Sequence, residues 1–167
     1  MIALPAYASQ GGEILNQVRD WDGVNPTSGL QNPYAMAMDS QGNIILTGFT
    51  GASGVEDFYT VKFKADGSGI LWRASYGGAS GKKDKAIAVA VDSNDDVIVT
   101  GSKRNDSDTN VDIYTIKYSK NGVAGEGVAL WSDTYSGTAG GDDYPVAIAV
   151  DKNSVPNKIY IGGYTAA

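Results

Sequence analysis

Ala35–Gly48 reads AMAMDSQGNIILTG, and two variants of it follow: AVAVDSNDDVIVTG at Ala88–Gly101 and AIAVDKNSVPNKIYIGG from Ala147. The aspartates of successive copies stand 53 and then 59 residues apart. Such a period is longer than that of most helical repeats and is typical of a four-stranded propeller blade. The segment therefore predicts a repeat protein built from β-sheets.

The composition also favours a folded, all-β protein. Of 167 residues, 42% are hydrophobic and 19% are charged, a balance that can build a buried core. The 22 glycines fall mostly at the ends of apolar runs, as expected where short strands are joined by tight turns. The net charge of −6 gives no general attraction to nucleic acid or to anionic membranes, so we expect neither as a partner.

Four strands are predicted in each full unit. They are Tyr34–Asp39, Ile44–Gly48, Asp57–Lys64 and Ile70–Tyr76 in one unit, and Ala86–Asp92, Val97–Gly101, Asp112–Tyr118 and Ala129–Tyr135 in the next. In the first strand of each unit, alanines alternate with larger residues, which places the alanines on one face and the larger residues against a neighbouring unit. The second strand is apolar on both faces and is predicted to lie inside its sheet.

The motifs of these units resemble the bacterial β-propeller repeats of the SBBP type. The shared pattern is an Ala-rich strand, Asp-Ser-x-Gly-Asn, an apolar strand ending in Thr-Gly, Asp-x-Tyr-Thr-x-Lys and Trp-x-x-x-Tyr-Gly-Gly. Residues 34–92 match nearly throughout, and residues 86–165 match with insertions. The departures are Asp95-Asp96 for Gly-Asn, the longer Lys152–Lys158 turn, and Tyr135-Ser136-Gly137 for Tyr-Gly-Gly. The resemblance implies a propeller fold and commonly an exported protein, but no single activity.

The strand count predicts an incomplete ring. Trp21 aligns with Tyr76 and Tyr135, so residues 13–22 are predicted to be a fourth strand without its blade, and Ile159–Tyr164 is predicted to be a second strand with no third. Eleven strands are too few for a closed propeller, which needs about four to eight blades of four strands. A piece of a longer protein and an assembly of several copies both explain the count.

The predicted organisation is an N-terminal segment followed by a repeat region. The segment is 1–12, and the region 13–167 holds partial blades at 13–33 and 145–167 and blade units at about 34–85 and 86–144, or about three blade equivalents. Bare terminal units expose edge strands, so we expect self-association into dimers or higher oligomers, or contact with further blades.

The N-terminal sequence gives an indication of the cellular location of the protein. The start MIALPAYASQ has an apolar stretch ending in Ala6-Tyr7-Ala8, similar to the end of a secretory signal with its cleavage site, although a basic n-region is absent. An export remnant and an ordinary terminus both stay open. We expect an extracellular, periplasmic or cell-surface location in a bacterium.

One loop has the donor pattern of a calcium site. Asp106, Asp108, Asn110 and Asp112 form a DxDxNxD run, and alternate oxygen donors in one loop suit calcium, which takes about six to eight oxygen ligands. Val111 and Lys117 stand where an EF-hand-like loop would have glycine and glutamate. The loop is therefore a candidate calcium site, with a solvated loop as the alternative; no other cofactor is expected.

The remaining candidate residues are predicted to be structural where they recur. Asp92, Asn94 and Asp96 form a DxNxD run whose leading aspartate is predicted to bind its own turn. The recurring pairs Trp72/Trp131 and Lys62/Lys117 are predicted to serve packing rather than ligand binding, and Asp142-Asp143 is predicted to be an exposed turn. The residues that do not recur, and are therefore better functional candidates, are Lys103, Arg104, Asn105 and the Lys82–Lys85 turn.

These patterns favour a non-enzymatic role. The chain has no histidine and no cysteine, which removes the usual proton shuttle and thiol nucleophiles. We expect a propeller segment that acts as an interaction or cell-surface scaffold for a protein or a glycan. The alternatives are a part of a propeller enzyme, such as a lyase or hydrolase, or of a lectin-like propeller, with active residues outside this chain.

Overall fold

The computed structural model describes residues 32–51, 55–77, 82–105, 107, 109–137 and 140–166. Within these residues the chain forms ten β-strands. In chain order they are β1 (Asn32–Met38), β2 (Ile44–Thr50), β3 (Asp57–Phe63), β4 (Ile70–Tyr76), β5 (Asp84–Val91), β6 (Val97–Arg104), β7 (Val111–Tyr118), β8 (Ala129–Tyr135), β9 (Asp142–Asp151) and β10 (Lys158–Ala166).

The strands form two complete antiparallel sheets and one hairpin. The first sheet has the order β1-β2-β3-β4 and the second the order β5-β6-β7-β8, while β9 and β10 make a terminal hairpin. The predicted all-β class and the four-stranded units are therefore confirmed. The strand predicted at residues 13–22 and the segment 1–12 lie outside the described residues.

A β-bulge recurs at one place in all three units and explains a repeated glycine. The register shifts between Pro33 and Ala35, between Ala86 and Ala88, and at the same place in β9. At this point the two backbones come so close that a Cβ on Gly101 would overlap the carbonyl oxygen of Lys85. The glycine that ends each apolar strand in the sequence is therefore needed for the close approach of the backbones.

The hydrophobic core lies between the first and second sheets. It is built from eleven buried residues: Ile45, Phe58, Trp72, Ala74, Ala86, Val91, Val97, Val99, Tyr114, Ile116 and Tyr118. β5 packs against β1, β2 and β3, and β9 packs in the same way against β5, β6 and β7. The spatial relation between the two sheets is thus repeated between the second sheet and the terminal hairpin.

The first strands follow the predicted alternation only in part. Ala86 and Ala88 of β5 are buried, and Val89 packs against the core. Met36 and Met38 of β1, which were predicted to pack on a neighbouring unit, are exposed. No other described strand covers this side of β1, and that is why the prediction is wrong for the two methionines.

Hydrogen bonds also join the turns of neighbouring units. The Ser40 hydroxyl donates to Asp95 Oδ2 (2.6 Å), and the Ser93 hydroxyl donates to Asn157 Oδ1 (2.7 Å). Asp95 and Asn157 hold the same place in their turns, two residues before the first apolar residue of the next strand. We call this row of contacts the turn seam.

Among the described residues we find no helical stretch with the length and apolar character needed to span a lipid bilayer.

Candidate functional site at the terminal hairpin

An open cleft of about 510 Å³ lies between the second sheet and the terminal hairpin. β8 contributes Trp131, Asp133 and Tyr135, which alternate along the strand and therefore share one face. β10 contributes an opposing wall of apolar and aromatic side chains, Ile159, Ile161 and Tyr164. The cleft thus pairs two aromatic rings and a carboxylate with a mainly apolar strand.

The equivalent face of the first sheet is covered by the second. The turn between β7 and β8, residues 119–128, lies over Trp72, which is 1% exposed. The Trp72 indole N–H donates to the Lys120 carbonyl oxygen (3.1 Å). The turn also pairs with the outer edge of β4, where Gly127 N donates to the Arg73 carbonyl oxygen (2.7 Å). One short turn therefore buries a tryptophan and protects a strand edge.

Aromatic contacts complete this covered face. Tyr76 stacks on Tyr114 with ring centroids 4.3 Å apart, and Phe58 meets Tyr114 edge to face at 5.9 Å. Trp72 packs on Tyr118 at 5.7 Å. Such pairs add to the stability gained from burying the rings themselves.

The same positions of the second sheet are open. Trp131, which matches Trp72, is 39% exposed, and Tyr135, which matches Tyr76, is 59% exposed. Asp133 takes the place of the buried Ala74. The packing role predicted for the two tryptophans is therefore confirmed for Trp72, whereas Trp131 lies in the open cleft.

A buried ion pair links the first turn and the third strand of each complete unit. Lys62 Nζ lies 2.8 Å from Asp39 Oδ2, and their side chains are 3% and 1% exposed. Lys117 Nζ lies 2.6 Å from Asp92 Oδ2 and 3.1 Å from Asp96 Oδ2. The structural role predicted for the two lysines is confirmed.

The protonation of these groups is set by their contacts. Burial would raise the pKa of Asp39, but the hydrogen bonds from Lys62 and Asn43 outweigh it and hold the pKa below its ordinary value. Burial would lower the pKa of Lys117, but its hydrogen bonds to Asp92 and Asp96 outweigh it and raise the pKa. The Asp39 carboxylate and the Lys117 ammonium are therefore charged at neutral pH.

In the third unit, of which the structure describes β9 and β10, Asp151 is the matching aspartate. Asp151 Oδ1 accepts from Asn153 N (2.9 Å), as the matching aspartates accept from their own turns. No basic side chain of the described residues forms an ion pair with Asp151, and this includes the neighbouring Lys158. Asp151 is half-buried.

The calcium loop is described only in part, because Asp106 and Asp108 lie outside the described residues. Asn110 is hydrogen-bonded within its own loop, and Asp112 accepts a hydrogen bond from the Ser136 hydroxyl (2.7 Å). In the described part of the chain no group of three or more acidic, histidine or cysteine side chains could hold a metal ion. Calcium binding here stays a prediction, which isothermal titration calorimetry at millimolar calcium can decide.

The other acidic candidates have structural partners. Asp92 Oδ1 accepts from the backbone N–H groups of Asn94 and Asp96, which confirms the predicted turn role. The prediction of an exposed turn at Asp142-Asp143 is wrong, because both residues belong to β9 and Asp143 is 1% exposed. Its carboxylate accepts hydrogen bonds from the Gly137 backbone and the Thr165 hydroxyl, because it lies inside β9 rather than before it.

The basic residues that do not recur also contact the protein itself. Lys103 Nζ lies over the Tyr114 ring, 5.3 Å from its centroid, and Lys85 Nζ lies 3.6 Å from Glu56 Oε1. Asn105 hydrogen-bonds within its own loop, donating to the Thr109 hydroxyl (3.0 Å). Lys85 and Lys103 lie at one end of the β5–β6 pair, and none of these residues lines the open cleft.

Comparison of individual residues in the sequence missed the cleft, because Trp131 was matched to Trp72 and both were assigned to packing. The signal that could have found it was the strand count, because a unit with two strands cannot cover its neighbour as a unit with four does. No protein-family model matches the chain, and no match is found among curated proteins. The resemblance to SBBP-type repeats therefore stays a prediction.

Proposed function

We propose that this chain is a non-enzymatic β-propeller segment that acts as an extracellular or cell-surface interaction scaffold. Its interaction surface is the open cleft, where self-association or further blades complete the third unit. One observation carries the proposal: the face of the first sheet that holds Trp72 is covered by the next unit, whereas the same face of the second sheet, with Trp131, is open.

The propeller arrangement is supported by the repeated packing of successive units. Each four-stranded sheet has its strands in chain order, and the first strand of the next unit packs across the same three strands of the unit before it. A constant relation between neighbouring four-stranded units is the arrangement from which propellers are built.

The non-enzymatic role and the location rest on different grounds. The sequence has neither histidine nor cysteine, and the buried carboxylates described above are engaged by lysine, backbone or hydroxyl donors. The extracellular or cell-surface location rests on the resemblance to exported repeats and on the Ala6-Tyr7-Ala8 pattern.

Light scattering on the full chain at micromolar concentration tests this proposal. We expect a mass of a dimer or more, because an open aromatic face and a free strand edge favour association. Trp131→Glu adds a charge beside Asp133 and should shift the mass towards the monomer. Leu130→Glu, at the β-bulge of β8 and outside the cleft lining, is the matched control and should leave the mass unchanged. A monomeric wild-type chain, or equal behaviour of the two variants, would contradict the proposal.

A further inference from the structure

The outer edge of β10 is unpaired in the part of the chain that the structure describes. β2 and β6 are each hydrogen-bonded to a strand on both sides, whereas β10 pairs with β9 and with no other described strand. Its outward N–H and C=O groups therefore form a template for one more antiparallel strand. β10 holds the position in its unit that the two central strands hold in theirs.

The register of the complete units specifies where a lysine would lie. Lys62 stands opposite Ile45, and Lys117 stands opposite Ile98. Val150 of β9 pairs with one residue of β10, and Tyr160 is the next residue along β10. Tyr160 therefore holds in the third unit the position that Ile45 and Ile98 hold in the first two. A lysine opposite Tyr160 would therefore be placed to reach Asp151, as the other two lysines reach their aspartates.

Trp131 specifies the turn that comes after the added strand. In the first sheet the matching Trp72 is covered by residues 119–128, which come directly after β7. A Cβ on Gly122 or Gly127 would lie within about 3 Å of Trp72 or of Ala74 on the same strand. The turn therefore needs glycine at these positions to lie flat on the ring. Because Asp133 replaces Ala74 in the second sheet, the incoming turn must also present a hydrogen-bond donor there.

The chain itself does not supply such a strand from its described sheets. β3 and β7 carry the required lysines, but both are paired on two sides and so are already occupied in a second folded copy. Residues 1–31 contain no lysine. The occupant of the β10 edge is therefore a strand of an additional repeat unit; a second copy of the sheets described above can contact the aromatic face of the cleft but cannot supply this strand.

We propose that the edge of β10 binds, in antiparallel register, a lysine-bearing strand of a further repeat unit, with the lysine paired to Asp151 and a glycine-containing turn lying on Trp131. This inference rests on the proposed function, because it names the partner chemistry of the same cleft.

A synthetic peptide with the sequence of residues 111–128, VDIYTIKYSKNGVAGEGV, is the probe. Added to the full chain, it should bind with one-to-one stoichiometry by isothermal titration calorimetry. Tryptophan emission should shift to shorter wavelength on binding, and this shift should vanish in Trp131→Phe. The same peptide with methionine in place of Lys117 should bind on the order of thirtyfold more weakly, because it leaves a buried carboxylate unpaired.

The chain-side test completes a double-mutant cycle. Asp151→Asn should weaken binding of the lysine peptide by a similar factor and should leave binding of the methionine peptide unchanged. Lys152→Ala, a matched change in the same turn, should change the binding of neither peptide. The peptide substitution leaves the folded chain untouched, so the comparison holds even where Asp151→Asn loosens the hairpin.

Each result has a definite meaning. Equal binding of the two peptides, or no binding of either at millimolar concentration, overturns the inference. Saturable binding of an oligosaccharide that shifts Trp131 emission, with no peptide binding, overturns it in favour of a glycan site. If the chain self-associates through the cleft while neither peptide binds, the inference fails and the proposed function stands; if the chain is monomeric yet binds the lysine peptide, the self-association fails and the inference stands.

Discussion

Replacing Lys62 with methionine tests the buried ion pair on which the comparison of the three units depends. Methionine keeps most of the length and volume of the side chain but removes the ammonium group. Lys62 Nζ lies 2.8 Å from Asp39 Oδ2 and 3.1 Å from the Lys120 carbonyl oxygen, so the substitution removes two polar contacts. The Lys120 oxygen keeps the Trp72 indole N–H as a donor.

The burial of Asp39 determines how much free energy of unfolding the Lys62→Met substitution removes. Removing one member of a buried pair typically costs about 3–5 kcal/mol, because the other charge stays buried without compensation. Asp39 still accepts hydrogen bonds from the backbone of Gln41 and Asn43 and from the Asn43 amide, which lowers the cost. We therefore expect the free energy of unfolding at pH 7 to fall by about 3 kcal/mol.

The loss of unfolding free energy in Lys62→Met should depend on pH. The folded-state pKa of Asp39 lies below its ordinary value of 3.8, so in the wild type this carboxylate contributes stability above pH 3.8 that is lost as the pH falls through the folded pKa. Without Lys62, burial raises the pKa of Asp39. As the pH falls, protonation of Asp39 then removes the buried unpaired charge and stabilises the folded variant. The difference in unfolding free energy between wild type and variant should thus narrow on acidification.

Urea denaturation followed by circular dichroism, at several pH values from 7 downwards, measures both quantities. Lys64→Met is the matched control, because Lys64 is exposed and comes two residues after Lys62. Its effect should be within about 0.5 kcal/mol. A loss below about 1 kcal/mol for Lys62→Met, or a loss of the same size at acid and neutral pH, would refute the reasoning.

Two further predictions concern stability. Gly101→Ala should lower the unfolding free energy by about 2 kcal/mol or more, because its Cβ would overlap the Lys85 carbonyl; Gly162→Ala, where nothing lies within 4 Å, should be nearly neutral. Trp72→Ala should cost about 3–5 kcal/mol, whereas Trp131→Ala, at an exposed position of the same type, should cost less than about 1 kcal/mol. Equal losses within either pair in thermal or urea unfolding would contradict the packing described above.

Much of the fold was predictable because each strand carries its own local signal. The period-two alternation, the glycine-rich turns and the recurring aspartate placed all ten described strands in order. Lys62 and Lys117 were predicted to be structural from recurrence alone, and the Asp92 turn from its spacing, whereas the pairing of each lysine with an aspartate was not predicted. These features depend on residues close in sequence or on one strand pairing.

The candidate site was less predictable because it depends on the segment that covers each face. Trp72 and Trp131 hold the same position in their units, each after a leucine and four residues before a tyrosine. They differ in exposure because residues 119–128 lie on Trp72 and no matching turn of the described residues lies on Trp131. Asp143 was misplaced for a similar reason, since its burial depends on Gly137 and Thr165 from other parts of the chain. Such long-range contacts leave no periodic signal in the sequence.

The turn seam has a direction. In both contacts the earlier unit donates through a serine hydroxyl and the later unit accepts through a side-chain oxygen. The second unit accepts from the first through Asp95 and donates to the third through Ser93, so each contact joins two different surfaces, and the contacts are heterologous and join units head to tail. Gly42 has no side chain at the acceptor position of the first unit, and Lys152 has no hydroxyl at the donor position of the third. The seam therefore fixes the order of the three units while leaving both outer ends free of its side-chain contacts.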